Sequence, residues 1–194
     1  QKDIKIYSNI DALEAFCGKK EYLSTAVLWN KLYKKELFRK LSFPIGRGID
    51  DEYLICRIVY RAKRIAVISD VLYYYYMSPN SQMRSAPSLK KLDNIDALEG
   101  QIRFLRKVNQ PRLANMLLYR YYSSIIDGYY YVKKNFPNET ELQKKLKKKK
   151  RMFYVAILTK EVEIKDKCLL VFRNYFPRFF ERMHTKLKKN EDTV

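Results

Sequence analysis

Trp29-Asn30-Lys31-Leu32-Tyr33, followed by Phe43-Pro44-Ile45-Gly46-Arg47-Gly48-Ile49-Asp50-Asp51-Glu52, is the stretch around which the chain is organised. Apolar and polar residues alternate from Val27 to Tyr33, which predicts a short strand suited to Trp and Tyr. A compact helical stretch is expected from Lys34 to Leu41. Pro44, Gly46 and Gly48 then break the chain and deliver three consecutive acids to the start of a helix over 51–62. Acids at that position have two physical readings. They satisfy the free N–H groups and dipole of the helix N-terminus, or one of them takes a proton from a substrate.

Outward from this stretch, residues 1–25 are expected to hold an amphipathic helix, with Ser8, Asn9 and Asp11 as capping candidates and Gly18 as its end. After the acidic turn and its helix, residues 63–68 read as a strand and Ser69-Asp70 as a turn. Val71 to Tyr76 read as a second strand, whose four consecutive tyrosines would point alternately to opposite faces. A loop from Ser78 reaches Arg84. From Ser88 the pattern becomes helical: Leu92, Ile95, Leu98, Ile102, Leu105 and Val108, then, past Gln110-Pro111, Leu113, Leu117, Tyr121, Ile125 and Tyr129. These stripes predict two long helices packed as an antiparallel pair, the second ending at Phe136-Pro137-Asn138. Glu141 to Tyr154 reads as a helix with an almost wholly basic face from Lys144 to Arg151. Lys165 to Leu187 reads as a helix pair broken at Pro177. The expected chain is mainly α with a few short strands and a C-terminal helical region, divided into residues 1–86 and a basic helical region over 87–194.

A chain of 194 residues with 47% apolar and 31% charged residues has material for a core and is not a disordered segment. Forty Lys and Arg against 21 Asp and Glu give a formal net charge of +19, which favours an anionic partner. Three scattered cysteines and one histidine, His184, argue against a disulfide framework or a zinc site and fit a reducing cytoplasm. No apolar run has membrane-spanning length, and no signal peptide is legible. Walker, GxSxG and zinc signatures are absent from the sequence. A start at Gln1 rather than Met reads as a piece of something longer, or a processed chain.

The words Trp29 to Phe38, Phe43 to Gly46, Asp50 to Glu52 and Leu72-Tyr73-Tyr74-Tyr75 together resemble the C-terminal half of bacterial family 2 glycosyltransferases of the GT-A fold. That family carries a WNKLY word, a loop with FP and G, an acidic pair (usually Glu-Asp), a helix, then LYxYR and a Ser. Order and spacing match over residues 26–84. The resemblance implies an α/β parent fold and an inverting transferase in which a carboxylate deprotonates an acceptor hydroxyl. Asp51 takes the place of the catalytic base, and Asp50 stands where the family usually has Glu. Trp29 and Asn30 are expected at the acceptor, for stacking on a sugar face and for hydroxyl contacts. Ser81 matches the family's serine. Tyr76 and Ser78 stand where many members have arginines for the donor diphosphate, and Arg84 is the nearest substitute.

The resemblance further implies a nucleotide sugar as donor and a glycan or lipid-linked acceptor. A divalent metal, Mg or Mn, would belong to the full enzyme but not be bound by this chain alone. The nucleotide-binding half, with its Asp-x-Asp site, is expected in a missing N-terminal portion, so the chain alone should not transfer sugar. Strand edges left open would favour dimerisation. Lys144–Arg151 and the Phe-rich segment from Leu169 to Met183 suit an anionic membrane surface, giving an expected place at the inner face of the cytoplasmic membrane. The contrary reading packs those rings against the tyrosine-rich helix. An alternative function is a basic helical nucleic-acid-binding module, supported by charge and interleaved aromatics. No nucleic-acid motif accompanies them, so nucleic acid is not the expected partner. A third reading is a helical adaptor that docks on the missing half.

Overall fold

A computed structural model of the chain describes residues 4–18, 27–74, 76, 86–177 and 179. The chain divides into two compact units, Gln1–Leu117 and Leu118–Val194.

The first unit opens with a strand, β1 (Ile4–Ser8), that runs directly into a helix, α1 (Asn9–Cys17). Ser8 makes the transition: its Oγ accepts from the Asp11 N–H at 3.2 Å and donates to Asp11 Oδ2 at 2.6 Å. α1 buries Ala12, Leu13, Ala15, Phe16 and Cys17 and ends at Gly18, as expected, but with φ −83° rather than a left-handed cap. The expected helix over 1–25 therefore begins as a strand. β1 pairs antiparallel with β2 (Arg64–Ile68), from Ile4 opposite Ile68 to Ser8 opposite Arg64. Between them lie a 3₁₀ turn, Lys35–Phe38, and α2 (Asp50–Arg61), which buries Leu54, Ile55, Cys56 and Ile58. A second 3₁₀ turn, Leu89–Leu92, leads into α3 (Asp93–Lys107), and α4 (Pro111–Met116) follows with Pro111 in its first turn. α2 packs between α1 and α3, and α4 packs on α3 and α1. Asn9 Nδ2 donates to Tyr60 O at 2.7 Å, tying the start of α1 to the end of α2. Arg112 grips Glu14 through two bonds of 2.6 and 2.7 Å, tying α4 to α1.

Three elements differ from expectation. Residues 27–34 form no strand; they turn at 28–30 and continue without ladder bonds. The helix expected over 34–41 is only the four-residue 3₁₀ turn. Residues 71–74 and 76 are not in a strand, and Val71, Leu72, Tyr74 and Tyr76 are strongly exposed. Alternation reports which side chains share a face, but a strand also needs a partner for its N–H and C=O groups, and none pairs with these segments among the described residues.

In the second unit α5 (Leu118–Asn135) is the centre, and α6 (Thr140–Arg151), α7 (Tyr154–Leu158) and α8 (Ile164–Tyr175) pack on it. Leu118, Tyr119, Tyr122, Ile125, Ile126 and Val132 of α5, Leu146 of α6, Ala156 of α7, Leu170 of α8 and Val162 between these last two helices are the buried apolar residues of this unit among those described. The second long helix read from the sequence is thus two helices, α4 and α5, interrupted at Leu117. α5 stops before Phe136-Pro137, and α8 before Phe176-Pro177, where proline removes the next donor. Beyond that break Pro177 and Phe179 are helical, and the rest of the expected second helix, with His184, lies outside the described residues.

Candidate functional site: the acidic turn at the start of α2

The turn that carries the acids is held from below by α3. Gly46 sits at φ 77°, a left-handed conformation that favours glycine. Arg47 NH1 pairs with Asp93 Oδ1 at 2.7 Å and Asp96 Oδ2 at 3.2 Å. The Gly48 N–H donates to Asp93 Oδ2 at 2.8 Å. This approach is close enough that a Cβ on Gly48 would meet Lys90 Cβ at 3.2 Å. The two glycines therefore serve different ends, one for the turn and one for the contact. Gln101 Nε2 donates to both Glu52 O and Glu52 Oε2 at 2.7 Å, and Tyr53 Oη donates to Asp93 O at 3.1 Å. Asp93 is 7% exposed and Gln101 2%, so these are buried clamps. Neither was singled out from the sequence. The signal available was an arginine between two glycines, which needs an acid to fix it.

Held this way, α2 begins without a side-chain cap from Ile49. Its carboxylates face their neighbours' N–H groups instead: Asp51 N–H donates to Asp50 Oδ1 at 3.0 Å, and Glu52 N–H to Asp51 Oδ1 at 2.9 Å. So the Asp50 and Asp51 carboxylates both act in the helix start, while that of Glu52 is held by Gln101. Asp51 differs from Asp50 in its surroundings. It is half-buried, and desolvation pushes its carboxyl above the usual aspartate range. Repulsion from Glu52 and Asp50 adds to this, and the backbone N–H groups oppose it.

Two side chains of the 27–33 segment feel the Asp51 charge. Burial lowers the Lys31 ammonium below the usual lysine range, with Asp51 pulling it back up. The Tyr33 hydroxyl is pushed up to about 12, by burial and then by Asp51. Tyr33 Oη is shielded from solvent and makes no hydrogen bond among the described residues. Lys31 Nζ donates to Val27 O and Asn30 Oδ1, both at 2.6 Å, which closes the turn at Trp29-Asn30. An aromatic series continues the segment: Tyr33 edge-on to Phe38 at 5.4 Å, and Phe38 against Phe43 at 6.4 Å. Arg61, at the other end of α2, donates to Leu37 O and Arg39 O and anchors the 3₁₀ turn.

Of the residues expected at the site, Asp50 and Asp51 are adjacent on the first turn of α2, and Asn30 accepts from Lys31, which feels the Asp51 charge. Trp29 is 45% exposed and lies against Tyr73, ring centres 4.7 Å apart and planes at 32°, a surface aromatic pair. Ser81 and Arg84 lie outside the described residues. Lys31 and Tyr33 are the additions that the structure makes to the sequence reading. No group of three or more His, Cys, Asp or Glu side chains among the described residues is arranged to hold a metal ion.

Comparison with known proteins connects the chain to glycosyltransferases. It is 25% identical over 175 residues, 88% of its length, to Glycosyltransferase GlyA of Streptococcus pneumoniae serotype 4, and this covers 24% of that protein. It is 44% identical over 55 residues to Glycosyltransferase GlyG of the same organism, covering 28% of this chain and 18% of that protein. The chain thus spans a quarter or less of these relatives. No known family profile matches it, and no solved structure matches it.

Proposed function

We propose that this chain is the acceptor-side part of an inverting, nucleotide-sugar-dependent glycosyltransferase, of family 2 and GT-A parentage, with Asp51 as its base. The observation that carries the reading is a half-buried carboxylate on a clamped helix start, pushed upward by desolvation, whose charge is felt by Lys31 and Tyr33. A base of this kind binds a proton more readily than a solvated aspartate. In the step, the Asp51 carboxylate takes the proton of an acceptor hydroxyl. The hydroxyl oxygen forms a bond to the anomeric carbon of the donor. The bond from that carbon to the diphosphate oxygen breaks, and the nucleotide diphosphate leaves with its electron pair. Inversion follows from attack opposite the leaving group.

Trp29, paired with Tyr73, offers an exposed aromatic surface for a sugar face, and Asn30 a polar edge beside it. The donor-binding half, with any Mg or Mn ion, is assigned to residues outside this chain, in keeping with the small share of the relatives it spans. The acceptor is a glycan or lipid-linked glycan at the cytoplasmic face of the membrane. The test is Asp51→Asn in the full-length protein, assayed for sugar transfer with a panel of nucleotide sugars. The expected loss is on the order of 10²–10⁴-fold, the usual contribution of a general base. Full activity in that variant contradicts the assignment.

A further inference from the structure

We propose that the C-terminal ends of α6 and α8 in the second unit form a docking surface for a bilayer carrying acidic headgroups. The surface is independent of the transfer chemistry and stands on its own geometry. α6 has seven basic residues and one acid among its twelve. Leu146 faces the core, and Lys145, Lys147, Lys148 and Arg151 point away from it, exposed. Lys149 and Lys150 at that end are half-buried, and Lys150 turns inward. Its Nζ donates to Asn174 Oδ1 at 2.7 Å and lies 5.0 Å from the centre of the Tyr130 ring, while Tyr130 Oη donates to Asn174 O at 3.0 Å. This part-buried clamp fixes the last turn of α6 beside the last turn of α8. Phe153 and Tyr175, ring centres 6.2 Å apart, make a second link between the same two ends.

What the clamp brings beside the cations is apolar and uncovered. Tyr175 is 65%, Phe176 58% and Phe179 59% exposed, and Met152 and Tyr154 are also exposed. The rings are ordered on one another: Phe172 stacks on Phe176 at 5.4 Å and meets Phe179 edge-on at 5.4 Å. The sequence reading that packs these rings inward is therefore incorrect for Tyr175, Phe176 and Phe179. A bilayer interface satisfies both features at once, since rings enter the boundary between headgroups and acyl chains while Lys and Arg meet lipid phosphates. A polyanion alone leaves the phenylalanines in water. No described helix is long and apolar enough to cross a membrane, so the contact proposed is a surface one.

The test is flotation of the 194-residue chain with vesicles of phosphatidylcholine alone and with a quarter phosphatidylglycerol, at physiological salt. The account expects binding only to the acidic vesicles. Phe176→Ser with Phe179→Ser should reduce partition about tenfold or more at constant charge. Lys147→Glu with Lys148→Glu should reduce it by at least about tenfold and remove the lipid preference. A Tyr175→Trp variant should show a blue-shifted emission on adding acidic vesicles, a readout that needs no loss of stability. Absence of flotation with acidic vesicles overturns the proposal. So does equal partition of the aromatic double variant, or a tryptophan whose emission does not move. Displacement of bound protein by an equal charge of single-stranded oligonucleotide also overturns it, in favour of a polyanion site.

Discussion

Asp51 and Asp93 stand in the first turns of neighbouring helices, and they have opposite fates. Asp93 is buried and spent: one oxygen meets Arg47, the other the Gly48 N–H, and its backbone carbonyl accepts from Tyr53. Asp51 is half-buried with no cation in direct contact among the described residues, and desolvation raises its proton affinity. The difference lies in where each side chain points. Asp93 faces the loop that it fastens, so its charge is neutralised by the fold. Asp51 accepts the Glu52 N–H, and Lys31 and Tyr33 sense its charge without bonding to it. A satisfied carboxylate holds structure, and an under-satisfied one is available for chemistry.

The largest expected effects separate the two directly. Asp51→Asn should remove most transfer activity in the full-length protein, by the factor given above, without lowering the melting temperature. Asp93→Ala should do the converse first. Loss of the buried acceptor for the Gly48 N–H costs about 2 kcal/mol, read as a lower midpoint in urea unfolding, and activity falls only as the turn loosens. If Asp93→Ala melts like the parent, the clamp is not what presents Asp51.

A smaller effect tests the close approach behind the turn. Gly48→Ala places a Cβ 3.2 Å from Lys90 Cβ, and the neighbouring backbone must give way. The expected cost is about 1 kcal/mol, and Gly46→Ala should cost a similar amount for a different reason, its positive φ. Unfolding of both variants with an unchanged Asp51 titration would show that the glycines serve stability alone.

The smallest effects concern pH. Because burial raises Asp51, the acid limb of the transfer rate should lie above the range of an ordinary aspartate. Lys31→Met removes a nearby positive charge, which favours the carboxylate, so the limb should move to still higher pH. The stability consequence has a definite sign. A carboxyl raised by folding binds its proton more tightly in the folded state. Its stabilising contribution is complete below the unfolded pKa and is lost as pH rises through the folded one. Asp51→Asn should therefore gain stability over the parent at neutral pH, and the gain should shrink on acidification. Thermal melts of both proteins from pH 3 to 8 read this difference.

Much of the fold was legible where a pattern is local. α2, β2 and α3 follow from apolar spacing and breakers close to their observed bounds, and Pro111, Pro137 and Pro177 mark real stops. What was not legible depends on distant partners. Ile4-Lys5-Ile6-Tyr7-Ser8 is too short to declare itself, and is a strand because residues 64–68 pair with it. Val27–Tyr33 has the alternation of a strand and lacks the pairing. Asp50 and Asp51 could be named from their place before a helix. Lys31 and Tyr33 joined them only through the Asp51 charge that the folded chain lets them feel, and Asp93 only when Arg47 and Gly48 were seen to need it.

The central claim is that Asp51 is held for proton transfer and is more than a helix cap. Its most direct test is the titration of the Asp51 carboxyl carbon by NMR in the 194-residue chain, assigned by comparison with Asp51→Asn. The account predicts a midpoint above that of a solvated aspartate, moving further up in Lys31→Met. A midpoint below the ordinary value, as for a carboxylate stabilised by helix N–H groups alone, would contradict it.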